Sequence, residues 1–137
     1  MPPAQSALFV LAAFLAPAGC HKAAAPAPQP DRTQLIEQRK DAAIDQLAVC
    51  ESGQGEGVGR NRYVGRLQFE PRTVINYVKE RDGRTLSTQE AVALARDYGQ
   101  ASSLAKYMIF ERDAHTHWPA CSRKIGLAQQ VAEIRAL

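Results

Sequence analysis

Helix signals follow one another from Asp31 to the C-terminus, and they constrain the fold more than any other feature of this 137-residue chain. Apolar residues recur there three and four positions apart, which is the spacing of one helix face. They form five groups: Leu35, Ile36, Ala43 and Leu47; Val74, Ile75 and Val78; Ala91, Leu94, Ala95 and Tyr98; Leu104, Ala105, Met108 and Ile109; Ala128, Val131 and Ile134. The pattern predicts a small, mainly α-helical domain over residues 31–137.

The expected helix boundaries carry residues that favour helix ends. Residues suited to helix starts are Asp31 (with Gln34), Pro71, Ser87 (with Glu90) and Ser122. Residues suited to helix stops are the glycines after Glu51, the pair Asp82 and Gly83, and Gly99. Only residues 62–69, RYVGRLQF, look extended, so we expect one short extended or β segment.

The first thirty residues differ from the rest. An apolar run, ALFVLAAFLA, covers residues 7–16 and is followed by small residues and Cys20. A membrane span takes roughly 20 apolar residues, so this run has instead the length of a signal-peptide core. We predict a signal peptide over residues 1–19. Residues 20–30 form a Pro/Ala tether, a composition that favours extended polyproline.

The sequence AGC, which ends at Cys20, resembles the end of a bacterial lipobox. The resemblance implies that Cys20 is lipidated and anchors an exported lipoprotein on the periplasmic face of a membrane, with the outer membrane favoured. Lipid on Cys20 would leave Cys50 and Cys121 as an even pair in an oxidising compartment. The alternative is cleavage after Ala18, which would leave Cys20 as a free thiol on a secreted soluble protein.

The charge pattern excludes one class of partner. The chain has 17 Lys and Arg against 14 Asp and Glu, a formal net charge of +3. This excess falls short of a nucleic-acid footprint, so no nucleic-acid partner is predicted. It suits an anionic polymer such as cell wall, and it also suits an ordinary solvated basic surface.

Two familiar kinds of site do not fit the motifs. The alternating glycines at positions 53, 55, 57 and 59 follow a helix and do not match G-x-G-x-x-G, so a phosphate cradle is disfavoured. They indicate either close approach of a ligand or a flexible surface loop. His115 and His117 with Cys121 match no zinc spacing. We therefore predict no metal and no cofactor.

Glu51 is a candidate acid because of its place in the sequence. It lies at the C-terminal end of the first helix, where carbonyl groups carry partial negative charge. Burial near apolar side chains would add to this effect, and both raise the pKa of a carboxyl group. A carboxylic acid protonated near neutral pH can protonate the leaving oxygen in glycoside cleavage. A simply solvated glutamate is the alternative.

Three motifs in this order, CESG at residues 50–53, YVGRLQFEPRT at 63–73 and WPAC at 118–121, resemble the catalytic domain of resuscitation-promoting factors. The middle segment is also similar to the G-L-M-Q-x-x-P-x-T motif of soluble lytic transglycosylases. Both groups share the lysozyme-like α+β fold, so the resemblance implies that fold over residues 31–137. Arg66 departs from the pattern, because these families have Gly or Leu there, and it would place a cation beside the groove.

The resemblance also assigns roles to residues. Glu51 matches the general acid, and Cys50 and Cys121 match a disulfide. Residues expected to contact the substrate are Tyr63, Gln68, Thr73, Tyr107 and Trp118. Tyr107 belongs to a segment similar to the one through which transglycosylases bring a tyrosine near the acid.

The implied activity is cleavage of the MurNAc-GlcNAc β-1,4 bond of peptidoglycan. Hydrolases of this type use two carboxylates, whereas lytic transglycosylases use one. A lone Glu51 therefore favours a lytic transglycosylase. A hydrolytic muramidase and a non-catalytic wall-binding or assembly lipoprotein are the alternatives. Peptidoglycan strands, the membrane at Cys20 and an envelope or secretion machinery are the expected partners.

Overall fold

A computed structural model describes residues 30–53 and 62–137, and in this part of the chain the protein is mainly helical. The described residues form six α-helices in the order α1 (Arg32–Ser52), α2 (Pro71–Asp82), α3 (Thr88–Arg96), α4 (Tyr98–Lys106), α5 (Pro119–Lys124) and α6 (Leu127–Arg135). A π-helical turn (Tyr107–Glu111) continues α4, and a 3-10 turn (Ala114–His117) precedes α5. The predicted helical class is thus confirmed.

The first three helices begin as their sequences predict. The Asp31 carboxylate accepts a 2.8 Å hydrogen bond from the backbone N–H of Gln34 and caps α1. Pro71 opens α2. Ser87 and Glu90 form a reciprocal capping box that starts α3. The caps at Asp31 and Ser87 satisfy backbone donors that have no partner inside the helix, and Pro71 has no N–H that needs one.

Two predicted boundaries are wrong. Gly99 does not stop a helix but lies inside α4, because the break occurs at Asp97, whose side chain accepts from the N–H of Gln100 at 3.0 Å and starts a new helix. Ser122 does not cap the last helix but lies inside α5, where its hydroxyl donates to the carbonyl of His115 at 2.7 Å. α6 instead begins after Gly126, which has a φ of 64°.

Extended structure is scarcer than expected. Among the described residues the β structure consists of one antiparallel bridge between Val64 and Phe69. Residues 65–68 form a tight turn between them, with positive φ at Gly65 and Gln68. Leu67 and Phe69 point into the core, which they share with buried residues of the helices, among them Ile44, Leu47, Leu104 and Met108.

Three regions that carry predictions lie outside the described residues. They are the signal peptide at residues 1–19, nearly all of the tether at residues 20–30 with Cys20, and the glycine stretch from Gly55 to Gly59 with Glu56. No helix in residues 30–53 or 62–137 has the length and hydropathy of a membrane span.

Candidate active site at the end of helix α1

Glu51 lies on the core-facing side of α1. It follows the fully buried Ile44 by seven residues, close to two helical turns, so the two side chains leave the helix within about 20° of each other. Leu47 and Ala48, also fully buried, belong to the same stripe. The carboxyl group of Glu51 thus occupies the last position of an apolar face, where it is half-buried.

Burial raises the pKa of Glu51 above its ordinary value of 4.5. Fewer water molecules reach the carboxylate, and the charged form loses more solvation than the neutral acid. The C-terminal end of a helix dipole acts in the same direction. The position therefore favours a carboxyl group that keeps its proton to a higher pH than a solvated glutamate.

A disulfide joins the end of α1 to α5, although the two cysteines are 71 residues apart in the sequence. Cys50, directly before Glu51, is bonded to Cys121 of α5 with an S–S distance of 2.05 Å and a Cα–Cα distance of 5.8 Å. The predicted pairing is confirmed. The bridge limits how far the backbone at Glu51 can move relative to α5.

The turn at residues 65–68 has a shape that its sequence requires. Val64 and Phe69 exchange two backbone hydrogen bonds of 2.8 and 2.9 Å at its base. Gly65 packs so closely on α3 that a Cβ atom at this position would lie 1.9 Å from the carbonyl oxygen of Ala95. The side-chain amide of Gln68 donates to the carbonyl of Gly65 at 2.8 Å. Gly65 therefore allows the turn to sit against α3, and Gln68 closes it.

Trp118 links this turn to the disulfide. Its indole N–H donates to the backbone carbonyl of Leu67 at 2.7 Å, and its ring meets Phe69 edge-on with centroids 5.3 Å apart. Cys121 follows Trp118 by three residues. Covalent and direct contacts thus connect the three motifs that are distant in sequence. With an exposed fraction of only 3%, the Trp118 ring supports the turn from within the core.

The other expected substrate residues divide into two groups. Tyr63, at the base of the turn, is 47% exposed, so its ring is open to a ligand. Thr73 is half-buried in the first turn of α2, directly after the turn segment. Tyr107 lies elsewhere.

Tyr107 contacts α2 and lies near the first half of α1. Its hydroxyl donates to Glu80 at 3.0 Å. The neighbouring Lys106 reaches Glu37 at 3.3 Å and Asp41 at 2.8 Å. Glu37 precedes Glu51 by fourteen residues, a distance of about 21 Å along a helix. The structure therefore does not bring Tyr107 to Glu51.

One contact near the turn was not expected. The guanidinium of Arg66 lies over the ring of Tyr98, with its central carbon 3.9 Å from the ring centroid. The hydroxyl of Tyr98 donates to Asp45 on α1. Tyr98 was predicted only as an apolar helix residue. No local signal reveals this stack, because its three members come from separate elements.

Comparisons with known proteins neither support nor contradict the resemblance to resuscitation-promoting factors and lytic transglycosylases. No protein-family model, curated protein or solved structure matches the chain. The lysozyme-like relationship therefore stays a prediction that depends on the three motifs. No group of three or more His, Cys, Asp or Glu residues in the described ranges could hold a metal ion.

Proposed function

We propose that the protein is a lysozyme-like lytic transglycosylase that cleaves the glycan strands of peptidoglycan, with Glu51 as its general acid and base. The observation that carries this proposal is a half-buried carboxyl group with a raised pKa at the end of α1. The disulfide beside it and the turn that carries Gln68 support the proposal, because Trp118 joins them into one rigid unit.

One carboxyl group is enough for this reaction. Glu51 protonates the oxygen of the breaking glycosidic bond, and its carboxylate then accepts the proton of the substrate's own hydroxyl, which attacks to form an anhydro-sugar. Two other acids, Glu70 and Asp82, are engaged in ion pairs: Glu70 pairs with Arg62 at 2.9 Å and Asp82 with Arg81 at 2.8 Å. Their ion pairs favour the mechanism with a single carboxyl group.

The second candidate is a wall-binding or assembly lipoprotein without turnover. The position of Tyr107 favours this candidate. Tyr107 contacts α2 and lies near the first half of α1, whereas Glu51 is at the other end of α1. The exposed Tyr63 and the turn would then bind a strand without cleaving it.

Product analysis separates these candidates. Purified sacculi are incubated with the wild type, with Glu51→Gln and with the control Glu133→Gln, which alters an exposed glutamate on α6. We expect anhydro-muropeptides from the wild type and the control and none from Glu51→Gln. Reducing ends would indicate a muramidase, and intact sacculi with bound protein would indicate the second candidate. Equal digestion by Glu51→Gln would contradict the acid role.

Export as a lipoprotein is part of the same proposal. Lipid at Cys20 and the Pro/Ala tether would hold the domain above the periplasmic face of the outer membrane. Labelling with a radioactive fatty acid should mark the wild type and not Cys20→Ser. Equal labelling of both would contradict lipidation at this cysteine.

A further inference from the structure

Arg66 differs from the other half-buried cations of the described chain. Three of them lie 2.8 Å from a carboxylate oxygen: the pairs are Lys40–Glu37, Arg81–Asp82 and Lys106–Asp41. Arg66 has no such partner in residues 30–53 and 62–137, and its Nε atom is buried there without a hydrogen bond. A half-buried charge without a counter-ion costs free energy unless a ligand supplies one.

The protein holds this guanidinium in place without neutralising it. The ring of Tyr98 supports one face of the group by a cation–π contact. The hydroxyl of Tyr98 is itself fixed by Asp45, so that carboxylate is engaged by the tyrosine. Gly65, directly before Arg66, is packed against the backbone of α3. The side chain is therefore ordered before any ligand binds, which lowers the entropic cost of binding.

The turn also places Arg66 beside Gln68, which the family resemblance predicts to contact the substrate. Arg66 and Gln68 belong to the same tight turn, in which the backbone positions lie within roughly 7 Å of each other. Because Nε is buried, a ligand can reach only the two terminal Nη groups. These two nitrogens present a planar pair of donors, the geometry that matches the two oxygens of a carboxylate.

We propose that Arg66 binds a carboxylate of the ligand that contacts this turn, and that on peptidoglycan this carboxylate belongs to the peptide stem. The inference rests on the proposed function. The N-acetylated sugars of the strand carry no charge, whereas their peptide stems end in carboxylates. Arg66 thus makes the site selective for strands that keep their stems.

A chemical double-mutant cycle tests this pairing. All proteins are full-length and carry Glu51→Gln, so that they bind without cleaving. Three soluble muropeptide fragments are titrated by calorimetry: one with free stem carboxylates, one with the same carboxylates amidated, and one in which the stem is removed and the lactyl carboxyl that carried it is amidated. Each is measured with Arg66 intact, with Arg66→Gln and with the control Arg72→Gln, which removes an exposed cation from the adjoining helix α2.

We expect the free-acid fragment to bind about ten- to a hundredfold more tightly than the amidated one when Arg66 is present. Arg66→Gln should abolish this difference and leave binding of the amidated and stripped fragments nearly unchanged. Arg72→Gln should retain the difference. If Arg66→Gln fails to fold by circular dichroism, Arg66→Lys replaces it, and a selective loss for the free-acid fragment is again expected.

The remaining outcomes separate the two proposals. Equal binding of all three fragments, unaffected by Arg66→Gln, would overturn the role of Arg66 and leave the proposed glycan binding intact. Binding of none of the fragments would overturn both proposals.

Discussion

At position 51 the first helix carries a carboxyl group where its periodicity requires an apolar side chain. Ile44 and Leu47 precede it on the same face and are fully buried. The resulting desolvation raises the pKa of Glu51, so the residue that lowers the stability of the fold is the one suited to act as an acid.

The stability of the protein should reveal this cost through its pH dependence. Burial raises the folded-state pKa of Glu51 above 4.5, so in the window above that value the folded chain keeps a proton that the unfolded chain has released. The free energy of unfolding therefore falls as the pH rises through this window. Glu51→Gln should have a melting temperature above that of the wild type at pH 7, and the difference should vanish below pH 4.

The control for this prediction is Glu133→Gln, whose side chain is exposed on α6 and accepts a hydrogen bond from Gln129 that a glutamine can also accept. It should leave the melting temperature unchanged at both pH values. A difference in melting temperature between the wild type and Glu51→Gln that does not depend on pH would contradict the prediction that desolvation raises the pKa of Glu51.

A second residue-scale prediction concerns Gly65. A methyl group there would lie 1.9 Å from the carbonyl oxygen of Ala95, and the φ of 73° is unfavourable for a side chain. Gly65→Ala should lower the free energy of unfolding by roughly 3 kcal/mol or more. Gly83 also has a positive φ but has open space around it. Gly83→Ala should therefore lower the free energy of unfolding by only about 1 kcal/mol. Urea denaturation measures both, and similar losses would contradict the close packing.

At the scale of elements, the turn at residues 65–68 depends on α5 as much as on its own sequence. Its backbone closes through the bridge of Val64 and Phe69. The buried backbone carbonyl of Leu67 accepts a hydrogen bond from the indole N–H of Trp118, the residue directly before α5. A buried carbonyl without this partner would destabilise the turn.

Trp118→Phe isolates this hydrogen bond, since it retains an aromatic ring and removes the N–H. We expect a loss of about 2–4 kcal/mol in the free energy of unfolding, from the unpaired carbonyl of Leu67 and the smaller ring. Tyr77→Phe is the control, because its hydroxyl bond to His117 is exposed and its loss should cost about 0.5 kcal/mol or less. Equal losses in the two variants would show that the indole bond contributes nothing.

At the scale of the whole molecule, one disulfide closes a loop that contains most of the residues of the domain. Cys50 and Cys121 are 71 residues apart, and their bridge joins the end of α1 to α5. A loop of this length restricts the unfolded chain strongly, so the disulfide should contribute substantially to stability.

Removing this bond should lower the free energy of unfolding by about 4 kcal/mol in the loop-entropy treatment. The variant with Cys50→Ser and Cys121→Ser together tests this by chemical denaturation. A reductant should destabilise the wild type to a similar degree and leave the double variant unchanged. An unchanged wild type in reductant that demonstrably breaks the bond would contradict the prediction.

The sequence by itself determined the local features of this protein. The starts at Asp31 and Ser87 follow from side chains that accept from a backbone N–H three positions away, and the start at Pro71 follows from its fixed φ and missing N–H. The core-facing position of Glu51 follows from helical periodicity. The pairing of Cys50 with Cys121 was reached from the cysteine count and the resemblance to a known family.

Only the tertiary structure decided which distant residues meet. Trp118 is 51 residues from the carbonyl it binds, and Tyr98 is 53 residues from Asp45. Tyr107 meets Glu80 instead of Glu51. Contacts at such separations depend on how whole helices pack, and no pattern within one helix contains that information.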